Sequence, residues 1–191
     1  MINYGKFCFG ACPRTGSTWV MQAAAVAGFG VGIKAEVHTP PIKNNPGQLT
    51  VTLVRHPYEW LISYYFALQG GAVGVSLIDD LAPLVREAKD FPHFIVRYCE
   101  SFAGRFTEII RSYYSGSVIR TEDLASGIIE LFRTLGVKED RLMKIKESSP
   151  LNVNHNKGYV NCDIRYLQEA VRRAEQETYD HFAYGLTGDL I

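Results

Sequence analysis

Twice within its first 70 residues the chain passes from a short apolar run, through a few turn residues, into a helical pattern. Phe7–Ala11 leads through "CPRTGS" to an alanine-rich helix over Trp19–Ala27 that stops at Gly28. Leu49–Val54, "LTVTLV", leads through Arg55 and His56 to Pro57 and a helix over Tyr58–Leu68. Leu49–Val54 is β-branched and apolar, as strands buried on both faces tend to be. Pro57 suits the first position of a helix, where its missing N–H leaves no bond unmade. Strands alternating with helices predict an α/β fold, three layers α/β/α with a central parallel sheet covered on both faces.

The remaining pattern extends this reading. Ile33–His38 is a second strand candidate, and "HTPPIKNNPGQ" is a loop with three prolines. Leu77–Lys89 and Pro92–Phe102 read as helices, Ser117–Ile119 as a strand, and "TEDL" as the opening of a helix to about Leu135. The tail from Asp163 to Phe182 reads as one amphipathic helix, with "VRRAEQE" on its solvated face. At 191 residues the chain is expected to form a single domain, 1–191, large enough to bury a sizeable core. Its formal net charge of +0 gives no global attraction to nucleic acid or to an anionic membrane, so an anion site must be local. The four cysteines, Cys8, Cys12, Cys99 and Cys162, form neither a disulfide framework nor a metal motif and are expected to be structural thiols. With no signal segment, and no apolar run near the roughly 20 residues that span a bilayer, a cytoplasmic location is expected.

Chemistry enters at the first turn. Gly10, Pro13 and Gly16 shape a strand-to-helix loop whose successive N–H groups, with the helix N-terminus, make an anion site. The usual nucleotide loop, GxxxxGK[ST], is not matched. Ala11 stands at its first glycine and Ser17 at its lysine, and the positive charge comes from Arg14 instead, with Ser17 and Thr18 adding hydroxyls. A phosphate-like anion fits, whereas an ordinary ATPase or GTPase is disfavoured. Arg55 ends a buried strand and so belongs on the same rim, where ligands of open parallel sheets collect. Ser63 follows in the next helix.

"PRTGSTW" resembles the 5′-phosphosulfate loop of the sulfotransferase family, and "RHPYEWLISYY" that family's 3′-phosphate motif, in which Arg55, Pro57 and Ser63 hold the characteristic spacing. The likeness runs from Phe7 to about Phe66. "VIRTEDL" is similar to a later strand and turn of the family, with Thr121 where a tyrosine is usual. The resemblance implies a P-loop NTPase-like fold and 3′-phosphoadenosine 5′-phosphosulfate (PAPS) as donor, leaving 3′-phosphoadenosine 5′-phosphate (PAP). It places Arg14 at the sulfuryl bridge. Thr15, Gly16, Ser17 and Thr18 would lie on the 5′-phosphate, Trp19 on adenine, and Arg55 and Ser63 on the 3′-phosphate. A basic, glycine-containing loop that closes on the 3′-phosphate would fall at "HNKGY", through Lys157 and Gly158.

Sulfuryl transfer needs positioning, fixed positive charge at the leaving oxygen, and a base for the acceptor's proton. Arg14 supplies the charge. His38, at a predicted strand end in "EVHTPP", titrates near neutrality and is the expected base; the segment resembles the family's "THLP" region. Glu36 is the alternative base, and His155 a lesser candidate. His56, His93 and His181 lie in helical patterns and read as structural. Tyr58, Trp60, Tyr64, Tyr65 and Phe66 either fill a core or line an acceptor pocket, and their helical spacing favours the core. The expected activity is sulfuryl transfer from PAPS to a hydroxyl or amine on a small-molecule or carbohydrate acceptor, with no metal in the mechanism. The rivals are a P-loop kinase or NTPase, and a non-catalytic nucleotide-binding module.

Overall fold

The computed structural model describes residues 2–10, 12–30, 33–34, 48–70, 80–114, 117–148 and 164–184. In chain order the strands are β1 (Ile2–Asn3), β2 (Phe7–Gly10), β3 (Ile33–Lys34), β4 (Leu49–Val54) and β5 (Ser117–Arg120). The helices are α1 (Ser17–Ala27), α2 (Pro57–Gln69), α3 (Ala82–Glu87), α4 (Phe91–Ser101), α5 (Arg105–Tyr113), α6 (Leu124–Thr134), α7 (Glu139–Glu147), α8 (Ile164–Ala174) and α9 (Gln176–Phe182). They form two compact units: Met1–Arg55 with Ile110–Val153, and His56–Ile109 with Asn154–Ile191.

The first unit is an α/β layer built on a sheet of order β3-β1-β2-β4-β5. β2, β4 and β5 run parallel, as the alternation of strands and helices predicts. β1 departs from that expectation, pairing antiparallel with both β2 and β3. Two residues are too few to show a period in the sequence, and the reversal into β2 is made at Gly5 with φ 80°. Adjacent residues of a strand point to opposite faces. Phe7, Phe9, Val51 and Leu53 therefore share one face, where they form a core with Trp19, Val20, Ala23 and Ala24 of α1, Ile128 and Phe132 of α6, and Leu142 and Ile145 of α7. Phe29 wedges its ring against Phe7 and Phe132, with centroids 5.1 Å away in each case. The opposite face carries polar contacts: Cys8 and Thr50 meet at 3.2 Å, and Thr52 Oγ1 donates to the Tyr113 carbonyl at 2.7 Å. The helix α7 is absent from the sequence reading, whose last helix before the tail ends near Leu135.

The second unit is helical and aromatic. Trp60 and Tyr64 of α2 stack at 5.2 Å, and Trp60 meets Phe106 of α5 at 4.8 Å. Tyr58, Trp60, Tyr64 and Tyr65 are all buried, so helical spacing here signals core rather than an open acceptor pocket. The Asp90 side chain caps α4 by accepting from His93 N at 2.8 Å. His93 Nδ1 in turn accepts from Lys89 N at 3.1 Å, a structural role as expected. His56 sits edge-on to Tyr179 and Tyr184, at 5.1 and 5.2 Å.

The tail corrects the single-helix expectation. α8 and α9 are separated at Glu175, whose backbone leaves helical geometry at φ −117°, ψ 29°. Glu175 lies within "VRRAEQE", yet it is 1% exposed, not solvated. Its carboxylate accepts from Tyr98 Oη at 2.5 Å, Phe106 N at 3.2 Å, Thr107 N at 2.9 Å and Thr107 Oγ1 at 2.7 Å. The first-turn amides of a helix have no acceptor within it. Glu175 supplies one from another helix, and Gly104 N donates beside it to the Ala174 carbonyl at 2.9 Å. That docking explains the break, and it also fixes α5, another helix the sequence reading missed.

Candidate functional site

The candidate site lies where the parallel strands of the first unit end. β2 and β4 pair from Phe7↔Leu49 to Gly10↔Thr52, so the loop after β2 and the residues after β4 emerge on one rim. Residues Cys12–Gly16 form that loop. The Thr15 hydroxyl, fully buried, donates to the Cys12 carbonyl at 2.7 Å and closes a turn inside it. Arg14 adopts the left-handed region, φ 67°, unusual for a residue with a Cβ. Gly16 follows at φ 89° as the N-cap of α1. A Cβ on Gly16 would stand 2.7 Å from Leu124 Cδ2 and push that side-chain tip aside, but it is the positive φ that calls for glycine.

Gly16, the N-cap of α1, gives no side-chain cap, and the first turn holds no acidic residue. The positive dipole end of the helix is therefore left to other anions. Arg55, directly after β4, donates through Nη1 to the Arg14 carbonyl at 3.2 Å. The two guanidinium groups are close enough to feel each other: Arg14 titrates below the usual arginine value because of burial and, next, the charge of Arg55. Arg133 beside Glu130 and Glu139, and Arg105 beside Glu108 and Asp80, shift upward instead. A loop that gathers like charge at an uncapped helix start is suited to a ligand with more than one negative group.

The expected contacts are distributed unevenly. Arg14, Gly16, Ser17, Thr18 and Arg55 fall at or beside this rim; Ser17 is buried and Thr18 exposed. Thr15 contributes its side chain to the loop's own shape. Trp19, the expected adenine contact, is 2% exposed and packed in the core with the sheet. That packing leaves its ring no open face to offer a base, and its buried Nε1 has no hydrogen-bond partner among the described residues. Ser63 belongs to α2 in the second unit, 4% exposed. His38, Glu36, Lys157 and Gly158 lie outside the described residues.

Thr121, which stands in the sequence where the resembling motif has a tyrosine, has a role at this rim that the sequence does not show. Thr121, at the start of a 3₁₀ turn Thr121–Asp123, directs its hydroxyl to the Val54 carbonyl at 2.8 Å and the Thr15 carbonyl at 3.1 Å. A side chain that serves distant carbonyls leaves no trace in spacing or pattern. Among the described residues no group of three or more His, Cys, Asp or Glu side chains could hold a metal ion, and no helix is long and apolar enough to cross a membrane. No protein-family model, curated protein or solved structure matches the chain.

Proposed function

We propose that the chain is a PAPS-dependent sulfotransferase, with the three-layer, P-loop-like arrangement and the cytoplasmic setting that such an enzyme implies. The observation that carries the reading is the pairing of Arg14 and Arg55 on one rim, joined through the Arg14 carbonyl at the uncapped start of α1. A nucleotide with separate 5′ and 3′ anionic groups would place negative charge beside both guanidinium groups, a geometry that arginine suits. The motif resemblance supplies the identity of that nucleotide, and implies Ser63 as a further 3′-phosphate contact. Lys157 and Gly158 would close on the same phosphate.

In the proposed reaction the acceptor hydroxyl or amine attacks sulfur, the bond from sulfur to the 5′-phosphate oxygen breaks, and PAP leaves. Arg14 stabilises the charge that develops on that oxygen. A guanidinium keeps its proton, so its role is electrostatic rather than acidic. The acceptor's proton passes to His38, with Glu36 as the alternative base. The acceptor is a small molecule or a carbohydrate.

The experiment is release of PAP from labelled PAPS in the presence of sugar, phenol, steroid and peptide acceptors, with the wild type and with His38→Ala. Acceptor-dependent release that falls by about 100-fold or more in His38→Ala is expected. Equal rates would remove His38 from the mechanism. Hydrolysis of ATP without use of PAPS would replace the reading with that of a P-loop NTPase.

A further inference from the structure

We propose that Thr121 is a positioning residue that sets the separation of the two arginines on the rim. The inference rests on the sulfotransferase reading for its ligand, but its geometry stands alone. The hydroxyl has one proton, shared between the Val54 carbonyl at 2.8 Å and the Thr15 carbonyl at 3.1 Å. Val54 immediately precedes Arg55, and Thr15 immediately follows Arg14. A single side chain therefore links the two backbone segments that bear the guanidinium groups. The Arg55 guanidinium makes a second link, to the Arg14 carbonyl.

The rest of the turn supports the same loop. Leu124, the first residue of α6, fills the space that a Gly16 side chain would need, and Thr121 Cγ2 lies 3.9 Å from that point. Arg120 and Asp123 close the turn by an ion pair at 2.7 Å. A threonine at the start of a helical turn commonly bonds an amide of its own turn. Thr121 instead serves two carbonyls on other segments. With Arg14 and Arg55 held at one spacing, a nucleotide with two phosphate groups gains from both, while one with a single phosphate gains from one. Thr121 thus acts on selectivity without touching the ligand.

The test compares wild type, Thr121→Val and Thr121→Ser. Valine keeps the shape and loses the hydroxyl, while serine keeps the hydroxyl. PAP and AMP affinities are measured by calorimetry, and amide exchange of residues 12–17 and 54–56 is measured without ligand. In Thr121→Val, PAP affinity should fall by about 10-fold and AMP affinity by about 2-fold or less, the scale of one lost neutral hydrogen bond. Exchange should quicken at both segments, and serine should restore all three readings. Wild-type binding of PAP with an unchanged PAP-to-AMP ratio in Thr121→Val would overturn the role and leave the functional reading standing. If wild type binds no PAP, the functional reading falls and exchange decides. Faster exchange at both segments then upholds the link, and unchanged exchange rejects it.

Discussion

Arg14 in the first unit and Glu175 in the second are both ionisable groups drawn away from water, and both titrate off their ordinary values, but their neighbours differ in kind. Around Glu175 every named neighbour donates: two backbone amides of α5, the Tyr98 hydroxyl and the Thr107 hydroxyl. Thr107 Oγ1 also meets Thr178 Oγ1 at 2.7 Å, so the knot extends into α9. Near Arg14 the influential charge is a second cation, Arg55. A carboxylate surrounded by donors is complete as it stands and holds helices in place. Two cations on a strand-end rim oppose each other's charge, and each lowers the cost of bringing an anion to that rim. A perturbed titration is therefore not a mark of function by itself. The sign of the neighbouring charge separates the two cases.

The largest effect expected from this comparison is on folding. Glu175→Ala removes the acceptor that two α5 amides and two hydroxyls share, leaving Phe106 N with Tyr98 Oη at 3.1 Å and Thr107 Oγ1 with Thr178 Oγ1, and should cost about 3–5 kcal/mol, as when one partner of a buried charged network is removed. Arg14→Ala, which relieves repulsion from Arg55, should change stability by under about 1 kcal/mol. Chemical denaturation of both variants checks the pair. Comparable losses in the two would erase the distinction between structural and ligand-facing charge.

A smaller effect concerns pH. Burial lifts the Glu175 carboxyl above its ordinary range, and the hydrogen bonds from Tyr98, Thr107 and Phe106 draw it part of the way back. Other charges reach its neighbours: Arg173 and Glu100 act with Glu175 on Cys99, and Arg172 acts with Glu175 on Tyr179. A carboxyl with a raised value holds its proton more tightly in the folded state than in the unfolded one. Its contribution to stability is therefore greatest below the ordinary carboxyl range and declines as pH rises through the interval up to the raised value. Glu175→Gln should abolish that decline, leaving a flatter profile of unfolding free energy against pH. An unaltered slope would assign the pH dependence to another group.

The contrast also shows what the chain discloses before it folds. Leu49–Val54 and the turn "PRTGS" announce a parallel strand and a strand-to-helix loop because local composition alone constrains them: β-branching for the strand, proline and glycine for the loop. Glu175 was read as solvated because helical spacing and neighbouring arginines look the same whether or not the helix bends. The donors it must satisfy, on α5, are about 70 residues away in sequence, as the separations of 68 and 69 show. Trp19 was assigned to a nucleotide by its place after the loop, yet a tryptophan one turn into a helix can serve the sheet below as readily as a base above. Thr121 shows in the sequence only as a departure from a tyrosine in a turn; its two carbonyl partners come together through the parallel register of β2 with β4, and Thr121 reaches them through that of β4 with β5.

The central claim is that Arg14 and Arg55 together receive a nucleotide bearing two separated anionic groups. Calorimetric titration of PAP and ATP into wild type, Arg14→Ala and Arg55→Ala tests it most directly. Wild type should bind PAP more tightly than ATP, and each substitution should weaken PAP by about 10- to 150-fold, the range for a lost hydrogen bond to a charged group. A preference for ATP, or PAP affinity indifferent to both substitutions, would contradict the claim.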